Sequence, residues 1–271
     1  MAEPASGASR QLRRAANRVR RREIEAVLQF GIPATQDIAP TVALTRHLIE
    51  ILSRTDDPHR ASAAAGIAQS VFEISLRRDP GPHAVACQKG CAHCCTNFVS
   101  ASVPEILALA HVVRARWPSA EAPIRVRIDS VSARDFAAAD RTGLTLPCPI
   151  LEGGACSAYA ARPLVCRGFA SVSLDACIRS LDDASVAIPN TRHRIHYRTQ
   201  SAMALWAALK SLGLSYASYD LHHAVRVAVA YPDAEAEWLS GRAVFAEVQM
   251  DTSRKPELET FVDQLIANAG A

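Results

Sequence analysis

Cys87-Gln-Lys-Gly-Cys91-Ala-His-Cys94-Cys95 puts four cysteines into nine residues, and Cys148, Cys156, Cys166 and Cys177 answer it downstream. These two blocks hold all eight cysteines of the 271-residue chain; none lies in the first 86 residues or the last 94. Thiols that merely filled a core would be scattered, so the eight form one chemical unit. Thiolates bind soft and borderline metals tightly, and zinc and iron–sulfur sites commonly take four of them. The spacings are C-x3-C-x2-C-C and then C-x7-C-x9-C-x10-C. Cys91 and Cys94 make a C-x2-C pair that can wrap one metal. Cys94 and Cys95, as chain neighbours, point apart unless the backbone turns. They imply either two centres, or one cluster with the remaining cysteines in another role.

Between the blocks lie 52 residues that read as helix. Val103-Pro104-Glu105 opens one helix running to about Arg116, with Pro104 suited to a first position and Glu105 to the positive end of the dipole. A second is expected over Ala122 to Ala139. Residues 143–172 are of another kind. Gly143, Pro147, Pro149, Gly153-Gly154, Pro163 and Gly168 crowd a segment with three cysteines and little periodic apolar pattern, so a bound ion or cluster would take the place of a core there.

Outside the blocks, apolar periodicity predicts helices from Gln11 to Gln29, Thr41 to Arg54 and His59 to Arg77, with Asp79-Pro80-Gly81-Pro82 breaking the chain before Cys87. After Pro189, helices are expected over about 190–212, 219–230, 233–241 and Pro256 to Ala269; Val225 to Val229 also carries a strand signal. The expected fold is mostly α, a helical buttress around a loop-rich, metal-binding cysteine lobe. Its expected organisation is a disordered tail (1–10), N-terminal helices (11–80), the cysteine region (81–180) and C-terminal helices (181–271) packed with the rest as one domain.

Apolar residues are 49% of the chain and charged residues 21%, ordinary for a globular protein. No apolar run reaches the length of a membrane span, and the Arg-rich start leads into Glu23-Ile24-Glu25 instead of a signal core, so a cytoplasmic location is expected. Disulfides are disfavoured in that compartment. Residues 1–30 hold seven arginines against Glu3, Glu23 and Glu25. Such an arm can bind nucleic acid, but no aromatic residues interleave with it, and a solvated helix is the preferred reading. Lys89, Arg141, Arg162, Arg167 and Arg179 lie near the cysteines and can offset thiolate charge, Arg162 and Arg167 first because they bracket Cys166. His93 is a lesser candidate ligand and His83 a weaker one. His193, His196 and the His222-His223 pair read as packing or surface residues.

Cys87-x3-Cys91-Ala-His-Cys94-Cys95, then Glu105-Ile106, then Cys156-Ser-Ala-Tyr159-Ala-Ala-Arg162-Pro163-Leu-Val-Cys166-Arg167 resembles the YkgJ-type cysteine-cluster family over about residues 87–177. Ala160 departs from the pattern, where an acidic residue often follows the tyrosine. The resemblance implies a zinc- or iron-chelating domain, often described as an iron–sulfur protein. A related cluster occurs in flagellin lysine methylases, which keeps an enzyme in view. The ligand pool is therefore Cys87, Cys91, Cys94, Cys95, Cys148, Cys156, Cys166 and Cys177. An iron–sulfur cluster, such as 4Fe-4S, is favoured over zinc because the second block is strung out instead of paired. The alternatives are a structural zinc protein and a cluster-dependent methyltransferase or radical-type enzyme. Cys87-x3-Cys91-x2-Cys94 has radical-enzyme spacing, but the strand–helix alternation of that barrel is missing. No acid–base or nucleophile–base arrangement identifies a substrate.

Overall fold

The computed structural model describes residues 37–88, 90–96, 98–132, 147–183, 185–252 and 256–270. Helix α1 (Ala39–Leu52) has Pro40 in its first turn and buries Leu44, Leu48, Ile51 and Leu52, the stripe its periodicity predicts. Helix α2 (Arg60–Arg78) buries Ala61, Ala64, Ala65 and Ala68 along one face, with Phe72 fully enclosed. Small residues at this spacing let neighbouring helices approach closely. Those neighbours are α3 (Val103–Arg116) and α7 (Arg192–Ser211).

Helix α7 runs through the centre. Its second half buries Met203, Ala204, Leu205, Ala207, Ala208 and Leu209, apolar nearly all round, because α1, α2 and α10 (Pro256–Ala269) surround it. Val262 and Leu265 of α10 close a smaller cluster with Val42, Met203 and Ala207. On the other side α3 presents Ile106, Leu109, Ala110 and Val113, and α4 (Pro123–Ser132) inserts Ile124 and Ile128 toward α8 (Leu221–Ala230). The short α9 (Ala234–Leu239) touches α2 and α8.

The mostly helical expectation holds, and the expected helices that are described in full begin and end within a few residues of their sequence signals; the helices over Leu164–Gly168 and Leu174–Asp182 were not expected. The strand signal at Val225 to Val229 is overturned: these residues lie in α8. Buried Asp220 accepts the His223 amide at 2.7 Å and starts a helix there. Ala224, Val225, Ala228 and Val229 then share its buried face, so the apolar run is a helical stripe. The expected helix over Ala122 to Ala139 is described only to Ser132; its remainder, the tail at 1–10 and the helix at 11–29 lie outside the described residues.

Two short antiparallel pairs escaped the sequence pattern. β1 (Ser100–Ser102) pairs with β4 (Ser218–Asp220), Ala101 facing Tyr219. β2 (Leu151–Glu152) pairs with β3 (Ala155–Cys156), Leu151 facing Cys156. Strands of two or three residues carry no readable period. Among the described residues no helix is long and apolar enough to cross a membrane.

Candidate metal centre

The first cysteine block is held by backbone bonds. Gly81 and Gly90 take positive φ (76° and 96°) and bend the chain on either side of Cys87. The Ala86 amide donates to the Ser171 carbonyl at 2.8 Å, and the Ser171 amide donates to Cys87 Sγ at 3.3 Å. Cys91 closes a turn onto the Gln88 carbonyl at 3.0 Å. His93–Thr96 is a single 3₁₀ turn that carries the adjacent Cys94 and Cys95, whose thiols stay within hydrogen-bonding reach of each other.

The Cys148 amide donates to the Cys95 carbonyl at 2.7 Å, joining the two blocks directly. From Cys148 the chain enters the β2–β3 hairpin, whose two-residue loop is Gly153-Gly154 with φ of 57° and 76°. Positive φ at both positions makes a type I′ turn, the geometry that matches strand twist. This turn folds Cys156 back toward Cys148. Gly154→Ala has open space for its methyl group but must hold a left-handed conformation. It is expected to cost about 1 kcal/mol in denaturant melts without loss of bound metal.

Cys166 rides on α5 (Leu164–Gly168), and buried Glu105 positions that helix. One carboxylate oxygen accepts the Ser102 amide (3.1 Å) and hydroxyl (2.7 Å) at the start of α3; the other accepts the Leu164 amide (2.7 Å) at the start of α5. One acid thus caps two helix N-termini and ties Cys166 to the core. Cys177 lies on α6 (Leu174–Asp182), started by Ser173, whose hydroxyl accepts the Ala176 amide at 3.1 Å. Helix α6 packs on the 3₁₀ turn and brings Cys177 back to the first block.

All eight cysteines are free thiols. Burial pushes Cys87, Cys148, Cys156, Cys166 and Cys177 above the ordinary thiol range, Cys148 to about 12. Cys94 is raised by its hydrogen bond with Cys95 and then by burial. The thiols that repel one another fall into two sets. Cys87, Cys91 and Cys177 form the first; Cys148, Cys156 and Cys166 form the second; Cys94 acts on both. Such an array resists ionising unless a cation enters, which is the chemistry of a metal site. Arg162 supports this fit. Its guanidinium stacks 3.6 Å from the Tyr159 ring centroid and favours the thiolates of Cys94, Cys156 and Cys166, yet its buried Nε has no hydrogen-bond partner.

Arg167 differs from the expectation that it offsets thiolate charge. It is buried and donates to Glu73 on α2 at 2.9 Å, to Gln69 at 3.3 Å, and to the Arg162 and Ala160 carbonyls. Its role is to hold the lobe against the buttress. Arg179 pairs with exposed Asp175, and Lys89 and Arg141 lie outside the described residues. Arg194, which sequence reasoning missed, adds positive charge near Cys87 and donates to the Arg167 carbonyl at 3.1 Å. No spacing rule reaches it, because α7 arrives from another part of the chain. His93 lies in the 3₁₀ turn and His83 is exposed, while His193 meets Asp79 at 3.5 Å beside the Tyr197–Asp79 hydrogen bond.

No curated protein and no solved structure matches the chain. Residues 86–191 match the CxxCxxCC family model, described as "Putative zinc- or iron-chelating domain", so the cysteine lobe of this chain carries the match that its motifs imply and the helices before and after it stand outside.

Proposed function

We propose that the protein binds iron–sulfur clusters through Cys87, Cys91, Cys94, Cys95, Cys148, Cys156, Cys166 and Cys177, and that zinc is the competing occupant. The observation that carries this is the irregular spacing of the ligand pool. Structural zinc sites draw their ligands from two compact pairs, whereas here the second block is strung out at x7, x9 and x10. A cluster places its own irons and sulfides between the thiolates and suits such an irregular array.

The two sets support two centres, Cys87, Cys91 and Cys177 in one and Cys148, Cys156 and Cys166 in the other, with Cys94 and Cys95 completing one each. When bound, such clusters supply one-electron chemistry; the chain supplies thiolates, Arg162 as counter-charge and a partly enclosed lobe. The eight half-buried or buried thiols suit a reducing, cytoplasmic setting. The core from Leu44 to Val248, against which Cys148, Cys156 and Cys166 pack, supports one domain for the described helices and lobe. A radical-enzyme barrel finds no support among the described residues, whose strands are four short antiparallel pieces.

Anaerobic purification, metal and sulfide analysis and a visible spectrum test the proposal. A brown protein with iron and acid-labile sulfide in near-equal amounts is expected. A colourless protein loaded with zinc overturns it.

A further inference from the structure

A second group of metal-ligating side chains lies where the sequence suggested only a helical buttress. His59 precedes α2, His111 is on α3 and Glu235 is on α9. Their donor atoms all lie within 4.8 Å of one another. Glu235 is 2% exposed. His111 Nε2 lies 2.6 Å and His59 Nδ1 3.5 Å from the same carboxylate oxygen, and the two rings stand nearly perpendicular with centroids 4.7 Å apart. Ser62 fixes the carboxylate, its amide donating to one oxygen at 2.7 Å and its hydroxyl to the other at 3.0 Å.

We propose that His59, His111 and Glu235 form a separate site for one divalent first-row metal ion such as Zn(II) or Co(II), independent of the cysteine lobe. The two imidazole donors favour these ions over calcium and magnesium. Two nitrogens and one oxygen leave a coordination position for water, the donor count of open zinc sites. The exposed side of His59 gives the ion an entry path. Ligand atoms around zinc stand roughly 3.4 Å apart at bond lengths near 2.1 Å. The present 3.5 Å already fits, and the 2.6 Å His111–Glu235 contact must widen.

Arg114 sets the tautomer of His111. Its guanidinium donates to His111 Nδ1 at 2.8 Å, so that nitrogen accepts and the ring proton lies on Nε2, donated to Glu235. Metal binding at Nε2 moves this proton to Nδ1 through solvent and turns Arg114 away, toward the Ala228 carbonyl it also bonds. Arg114 therefore competes with the ion, both through the tautomer it holds and through its charge.

The test adds Co(II) to the full chain with its cysteine lobe already loaded. Cobalt on thiolates gives sulfur-to-metal charge-transfer absorption, whereas nitrogen and oxygen ligation gives ligand-field bands alone, so failure at one site is separable from failure at the other. One further equivalent with ligand-field bands and no new charge transfer is expected. His59→Ala, at an exposed position, and Glu235→Gln, which keeps an acceptor for Ser62, should each weaken that binding about tenfold or more. Arg114→Ala should tighten it. No cobalt beyond the cysteine lobe, or affinity unmoved in both ligand variants, overturns the site; weaker binding in Arg114→Ala overturns ligation through Nε2.

Discussion

Cys166→Ala and Cys177→Ala are expected each to remove about half of the bound iron, and the double variant nearly all of it, because each thiol belongs to a different set. Cys94→Ala should cost more iron than either single change, since Cys94 faces both sets. Losing one of four thiolates leaves a cluster corner open to solvent and oxidants, and anaerobic iron and sulfide analysis reads the loss. Equal losses in the single variants with no further loss in the double would mean one shared centre. Unchanged iron in Cys94→Ala and Cys166→Ala would remove the ligand pool altogether. Cys94 and Cys166 are half-buried and Cys177 is buried, so circular dichroism before metal analysis separates loss of ligand from loss of fold.

Glu105→Ala is expected to destabilise the protein by about 3 kcal/mol. Two buried amides, of Ser102 and Leu164, lose their acceptor together with the Ser102 hydroxyl, and each orphaned donor costs roughly 1–3 kcal/mol. Glu105→Gln retains one acceptor oxygen and should fall between the variant and the parent. Denaturant unfolding of the metal-loaded protein measures both. The change should also lower iron content, because α5 carries Cys166 and starts on this carboxylate. A Glu105→Ala protein as stable as the parent would show that the double cap does little.

The helices of the buttress were legible because each carries an apolar stripe of period 3.6 and a stop. Leu44, Leu48, Ile51 and Leu52 are buried as their spacing demands, and α10 spans Pro256–Ala269 as its Pro start and apolar stripe predict. The four strands were not legible, since two or three residues cannot display a period. Val225 to Val229 was ambiguous for the opposite reason: β-branched content favours a strand, and the Asp220 cap with tertiary burial outweighs it.

Within the lobe, cysteine identity and block spacing announced metal chemistry. Arg162 and Arg167 looked equivalent in sequence, four residues before Cys166 and one after it. In the fold Arg162, which follows the 3₁₀ turn Tyr159–Ala161, lies near the thiolates, while Arg167, within α5, turns to Glu73 and Gln69. His59, His111 and Glu235 carried no motif at all; 124 residues separate His111 from Glu235.

The sequence by itself determined the chemistry of this protein: eight thiols in two blocks, set among helices whose stripes declare their buried faces. Those properties are local, written in residue type and in spacings of a few positions. The tertiary structure alone decided which thiols share a set, that Cys95 and Cys148 meet backbone to backbone, that Glu105 caps two helices, and that three distant side chains converge beside Arg114. Such juxtapositions follow from helix packing, in which residues far apart in the chain are brought together by burial of apolar faces, and no local pattern encodes them.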